Sequence, residues 1–226
     1  MPARPPKRRV RAPDATRGKI LAAAFEEMYQ RGFQAASLDT IVEQAGVTKG
    51  ALYHHFADKA ALGYAVVDEV ITRPVLDVYL GPLQESTVDP LTALQQLLRR
   101  RADDFRSGGI ELGCPLNNLA QEMSPLDERF RRHVEAALDA WTDGFARALR
   151  RGQTAGTVRK DVNARAVAAF MVATVEGSFG MAKNAKSQPL LRANLELLAS
   201  FLETLRPPRR RRRNGVTRRS TTRRAA

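Results

Sequence analysis

The stretch GVTKGALYHHFADK, residues 46–59, gathers side chains suited to a polyanion at helical spacing. Thr48 precedes a run free of helix breakers, so it suits an N-cap while leaving its hydroxyl near any phosphate. Lys49 extends a charge that can reach a phosphate or a guanine edge. Gly50 carries no side chain, which lets a helix here lie close to another surface. Tyr53 and His54 fall one turn on and can meet the backbone or a base. Lys59 combines its charge with the free N–H groups of a helix start, an arrangement that attracts anions. Leu52 and Phe56, four apart, turn inward. The competing reading is a helical hairpin that touches no nucleic acid and merely exposes Tyr53 and His55.

The other reactive residues are few. Cys114 is the single cysteine, so no internal disulfide forms, and a reducing compartment fits. With Pro115 at the first helical position, Cys114 becomes an N-cap whose thiol pKa the helix end should lower, making it a candidate sensor of oxidants or electrophiles. Against this, Glu111 is near in sequence, and lone cysteines commonly serve as packing. The histidines are His54, His55 and His133. Adjacent His54 and His55 should point apart on a helix, so no metal site is expected. No G-x-S-x-G, P-loop or dinucleotide fingerprint occurs, and no nucleophile–base pair can be named, so neither catalysis nor a cofactor is expected.

The elements that must position these residues read as helices throughout. A first helix over 14–31, capped by Asp14, places Ile20, Leu21, Ala24, Phe25 and Met28 on one face. A short helix follows from Ser37 as cap to 45, ended by Gly46. A third covers 49–56. A fourth, capped by Asp58, continues through Leu62, Val66 and Val70, toward Tyr79. Two short helices around a glycine turn have the dimensions of a helix-turn-helix. Further helices are predicted over 90–106, 115–123, from Pro125 through Leu149, over 163–183, and over 188–206. The fold class expected is all-α with about nine helices, divided as an N-terminal DNA-binding part, 14–62, and a helical ligand-binding and dimerisation part, 63–206.

From about Thr16 to Val66 the chain resembles the DNA-binding domain of the TetR family, through the core AGV-x-x-G-x-LY-x-HF-x-x-K. The resemblance implies DNA contacts at Ser37, Thr48, Lys49, Tyr53, His55 and Lys59; Gly50 and His54 join them on geometric grounds. Two departures stand out. Ala36 replaces a usual Thr, and Thr40 and Ala61 stand where a Glu would complete a capping box, so both helices should cap less tightly. The segment GCPLNNLAQEMSP, 113–125, resembles a subgroup that includes electrophile-responsive repressors. The family also implies a ligand pocket, a homodimer, and transmission through the fourth helix.

The pocket is expected to draw on Phe105, Cys114, Leu116, Asn117, Leu119, Met123, Trp141, Phe170 and Thr174, a mostly apolar set suited to a small ligand; ordinary core packing explains the same residues. The last two helices carry a leucine stripe (Leu191, Leu195, Leu198, Leu202 and Leu205), widened by Leu190, Leu197 and Phe201. A small-residue face (Ala169, Ala173, Gly177 and Gly180) lies beside it. A helix-pair dimer interface accounts for both; a central helix pair of a monomer is the alternative.

The net charge of +13 is unevenly placed. Residues 1–13 carry five basic side chains and residues 207–226 carry nine, with no acid in either, while 14–206 sums to −1. The arms are expected to be disordered when free and to contact phosphate. No apolar run is long enough to span a membrane, and no secretory signal is seen, which leaves a cytoplasmic, nucleoid-associated location as the default. Together these features predict a homodimeric transcriptional repressor on a pseudo-palindromic double-stranded DNA operator, released by a small molecule. The alternative is a basic architectural protein without ligand response.

Overall fold

The computed structural model describes residues 12–85, 87–104 and 110–208. Among these the secondary structure is entirely helical. Ten α-helices occur: α1 (Ala12–Arg31), α2 (Leu38–Ala45), α3 (Lys49–His55), α4 (Lys59–Ala65), α5 (Arg73–Glu85), α6 (Pro90–Asp104), α7 (Pro115–Met123), α8 (Glu128–Ala155), α9 (Ala164–Ala185) and α10 (Gln188–Glu203). A π-helical stretch, Val66–Thr72, joins α4 to α5, so the fourth predicted helix is one rod reaching Glu85. The wide turns precede Pro74, which has no N–H and would crowd a tight helical turn behind it. Thr72 donates its hydroxyl to the Val67 carbonyl, five residues back, at 2.7 Å.

Two expected boundaries move. α1 starts at Ala12, so Asp14 lies inside its first turn instead of capping it, and 12–13 belong to the helix and not to the basic arm. α8 opens at Glu128 and not at Pro125: Asp127 accepts from the N–H groups of Arg129 and Phe130, and this carboxylate cap fixes the start. Residues 1–11 and 209–226, which hold nearly all of both basic arms, lie outside the described residues.

Apolar side chains form two buried clusters. The first joins α1–α4 and the π stretch to Leu116, Leu119 and Met123 of α7 and to Phe130 and Val134 of α8. The second fills the body between α5, α6, α8, α9 and α10 around Trp141, Phe145 and Leu149. The α4–π–α5 rod runs along both. It is fastened to α8 by the Tyr64 hydroxyl, which donates to Asp127 at 2.7 Å, and by His133, which stacks on Tyr64 and meets Asp68 at 2.9 Å. At Gly63 a Cβ would stand 2.5 Å from both Phe130 and Phe33, so glycine is what lets the rod approach α8 this closely.

Candidate nucleic-acid interface and sensing cavity

The helix-turn-helix is set by three caps. The Ala51 N–H donates to the Thr48 hydroxyl at 3.1 Å, and the Ala61 N–H donates to the Asp58 carboxylate at 2.7 Å. The Thr40 N–H reaches the Ser37 hydroxyl only at 3.4 Å, a loose cap as expected without a Glu at 40. α4 is capped tightly instead, because an ionised carboxylate is the stronger acceptor. The bond that a Glu at 40 would make is supplied from α1: buried Glu27 accepts from the Ser37 N–H at 3.2 Å and pairs with Arg31. Gly46, at φ 63, makes the turn into α3, in a left-handed conformation that disfavours any other residue.

α3 buries Leu52, and Phe56 follows it into the core; the opposite side carries Thr48, Lys49, Gly50, Tyr53 and His54, all exposed, with His55 half-buried. Tyr53 keeps 52% of its surface open, high for a residue so apolar. His54 and His55 do not diverge: their rings meet edge to face at 5.3 Å. No cluster of three or more metal-ligating side chains occurs among the described residues. The two lysines are already engaged. Lys49 pairs with Asp39 at 2.6 Å across the turn, and Lys59 donates to the Gln34 carbonyl at 2.9 Å while lying over the Phe33 ring. Each keeps N–H donors to spare, since an ammonium has three. Ser37, half-buried, sits at the start of α2 beside this surface. Asp39 and Glu27 are the participants that sequence reasoning passed over. Asp39 sits in the first turn of α2, and only the fold shows that this turn faces Lys49.

The expected pocket residues scatter. A cavity of about 170 Å³ opens between α1, α5, α6, α7 and α9, with Tyr29, Val75, Tyr79, Arg101, Cys114 and Phe179 among its walls. Of the predicted set, Cys114 alone among the described residues lines it. Trp141 is fully buried behind it, its ring 4.2 Å from Tyr79. Leu116 and Met123 are core under the N-terminal helices instead of pocket lining, because that face of α7 packs on α8 and the π-helical stretch. Asn117 and Leu119 border a larger groove of about 750 Å³ between α1 and α7. Phe170 and Thr174 are not in the cavity: they face outward on α9, where Phe170 is 51% exposed and meets Phe201 edge to face. Phe105 lies outside the described residues.

Cys114 does not carry the low thiol pKa expected of a helix cap. The N–H groups of Asn117 and Leu116 do pull it down, but burial and the nearby Glu176 carboxylate outweigh them and push it well up. Glu176 is itself unusual. It is 8% exposed, and among the described residues neither of its oxygens has a hydrogen-bond partner, although the Cys114 thiol stands beside it. Burial raises its pKa from 4.5 to about 7. The Trp141 indole N–H is also buried with no hydrogen-bond partner among the described residues. A lone acid inside the otherwise uncharged run VATVEGSFG was the sequence signal for Glu176. Nothing in the pattern marked Tyr79 or Arg101.

α9 and α10 leave an apolar face uncovered. Met181 is 58% and Leu197 69% exposed, with Phe170 and Phe201 beside them. Ala169, Ala173, Gly177 and Gly180 are exposed as well, and a Cβ added at either glycine would meet nothing within 4 Å. The leucine stripe itself, from Leu191 to Leu205, is buried against the body.

No helix among the described residues is long and apolar enough to cross a membrane. Residues 20–66 match the family of bacterial regulatory proteins, tetR family, and residues 90–196 match the C-terminal domain of LmrA/YxaF-like transcriptional regulators. The transcriptional regulator AcuR of Cereibacter sphaeroides is 29% identical over 216 residues, 90% of this chain and 91% of that protein. The regulator TtgR of Pseudomonas putida is 33% identical over 72% of this chain and 77% of its own length. A TetR regulatory protein from Rhodobacter sphaeroides has a similar crystal structure, with a TM-score of 0.73 at 25% identity, covering 82% of this chain and 97% of that one. With its capped helix-turn-helix set against a helical body, the chain belongs to the TetR family of DNA-binding transcriptional regulators.

Proposed function

We propose that this protein is a homodimeric repressor that binds a pseudo-palindromic operator and is released by a small molecule held in the cavity beside Cys114. The carrying observation is α3: a capped helix with Leu52 buried beneath it and Thr48, Lys49, Gly50 and Tyr53 open on its outer side. In this reading residues 14–62 bind DNA, with α3 in the major groove. Lys49, Tyr53 and His54 face bases or backbone. Ser37, Thr48, His55 and Lys59 face phosphates, and Gly50 permits the close approach. Lys49 exchanges Asp39 for DNA on binding. The basic arms at 1–11 and 207–226 add phosphate contacts, since the DNA-facing helices are not themselves basic.

Residues 63–206 form the sensing and dimerising part. The uncovered α9–α10 face supports pairing with a second copy, where its apolar side chains would leave water and its small residues would let helices come close. A dimer then presents two α3 helices about 34–36 Å apart, one turn of duplex. The cavity suits an effector of few atoms with an aromatic or apolar body. An electrophilic effector with a polarised carbon–carbon double bond would add to Cys114: the sulfur–carbon bond forms as the π bond opens, and the thiol proton passes by way of the Glu176 carboxylate to the neighbouring carbon. An effector that prefers one state of the dimer draws population from the other; a tenfold loss of operator affinity requires about 1.4 kcal/mol of such preference.

Selection of duplexes from a random pool by the full chain tests the reading. It should yield a pseudo-palindrome with half-sites about one turn apart. Bound fragments without a common sequence would instead favour an architectural protein.

A further inference from the structure

α1 ends in a left-handed turn at Gly32, φ 84, and the N–H groups of Phe33 and Gln34 emerge from it side by side. Consecutive N–H groups in such a turn form a small concavity that holds an anion. Here the anion is a side chain from the sensing part. The Glu122 carboxylate, near the end of α7, accepts from Phe33 at 2.9 Å through one oxygen and from Gln34 at 2.8 Å through the other. The fit is close: a Cβ on residue 32 would lie 2.9 Å from Glu122 Oε2. On the neighbouring peptide, Lys59 donates to the Gln34 carbonyl at 2.9 Å. The turn between α1 and α2 is thus gripped by a carboxylate from α7 and an ammonium from α4.

The other end of α7 reaches the cavity. Cys114 caps that end and lines the cavity, and the Gly113 carbonyl accepts from the Tyr29 hydroxyl at 2.5 Å. One nine-residue helix, ~13 Å long, therefore has the cavity wall at its start and the α1–α2 turn at its finish. We propose that Glu122 is a positioning residue for DNA binding: it fixes the turn that leads into Ser37 and holds Lys59 in place, and it carries the state of the cavity to that turn. The inference rests on the cavity and the DNA-binding surface being coupled as proposed above, and it names the contact that couples them.

Linkage is reciprocal, so the coupling can be read without an effector: the operator must change the state of the cavity wall. Cys114 is the only cysteine, and iodoacetamide, followed by mass spectrometry of the full chain, reports its accessibility. We expect saturating selected operator to change the parent's labelling rate by about threefold or more, and Glu122→Gln or Glu122→Ala to shrink that change to within about 1.3-fold. Amide exchange at Phe33 and Gln34 should quicken in both variants. Glu122→Gln keeps the side chain's shape, so it serves if Glu122→Ala does not fold. A folded Glu122→Gln that no longer binds operator would also support the positioning role, since Glu122 itself is not placed at the DNA surface. An operator-dependent rate that persists undiminished in the variants overturns the inference alone. A parent whose labelling ignores saturating operator overturns both the inference and the coupled reading beneath it.

Discussion

The α3 surface and the cavity beside Cys114 hold their polar groups by opposite means. On α3 the side chains of Lys49, Tyr53 and His54 are exposed, and their direction is set by neighbours within a few residues: Thr48 caps, Gly46 turns, and Leu52 and Phe56 anchor. At the cavity, Cys114, Tyr79 and Arg101 come from the start of α7, α5 and α6, with Glu176 of α9 beside Cys114, and burial raises the pKa of Cys114, Tyr79 and Glu176. Short-range rules therefore suffice to describe a binding surface, whereas a sensing site is made by tertiary packing. The same contrast governs how mutations should act: through DNA contact alone at α3, and through stability and pH at the cavity.

The largest effect that separates the two should come from Tyr53→Ala. Its side chain is half open and supports no core, so operator affinity should fall about 100-fold or more, from roughly 1.4 kcal/mol or more lost in each half-site, with the thermal midpoint unchanged. Fluorescence anisotropy and melting on the same sample check both halves. A stability loss of similar size would merge the two regions instead of separating them.

Glu176→Gln probes the opposite behaviour. The folded protein holds the Glu176 proton up to about pH 7, against 4.5 for the ordinary side chain. Below pH 4.5 both states are protonated and nothing is lost. As pH rises from 4.5 through 7 the unfolded chain ionises first, so stability falls. By pH 8 the buried carboxylate costs roughly 3 kcal/mol, much of which Glu176→Gln should recover. Asp89, Asp127, Glu128 and Glu203 are held below their usual range and act in the opposite sense at lower pH, so the difference between variant and parent isolates Glu176. Denaturant titrations at pH 5 and 8 check it; equal gains at both would contradict the burial account.

Leu197→Glu places a charge at the centre of the uncovered α9–α10 face without disturbing a buried side chain. The dimer dissociation constant should rise about tenfold or more by sedimentation or light scattering, from the cost of desolvating the new carboxylate. Asp39→Asn should have the smallest effect. It frees Lys49 and removes a negative charge from the DNA side, so affinity for any duplex should rise about threefold, as expected for breaking an exposed ion pair. A fall would make Asp39 an organiser of Lys49 and not its competitor.

The same division explains what could be read in advance. The turn at Gly46, the caps at Ser37, Thr48 and Asp58, the inward Leu52 and Phe56, and the order of the helices follow from local rules, and so does the exposed small-residue face of α9. The start of α8 was misplaced because Pro125 and Asp127 both suit a helix beginning, and only the carboxylate's two backbone bonds decide between them. The residues expected to share one pocket lie apart in the fold. Leu116 and Met123 have the composition of pocket and of core alike, and Phe170 turns outward because the narrow apolar side of α9 is filled by Met171, Val175 and Phe179. The thiol of Cys114 was misjudged because its burial, and after it Glu176, 62 positions away in sequence, raise its pKa, and neither follows from local sequence. Glu122 was visible only as part of a motif; its two partners belong to a turn almost ninety residues earlier.

The central claim is that α3 enters the major groove twice in a two-fold pair. Methylation interference on the selected operator tests it most directly. The account predicts two patches of major-groove guanine interference, about one helical turn apart on one side of the duplex, both lost in Tyr53→Ala. A single patch, or protection confined to the minor groove, would contradict it.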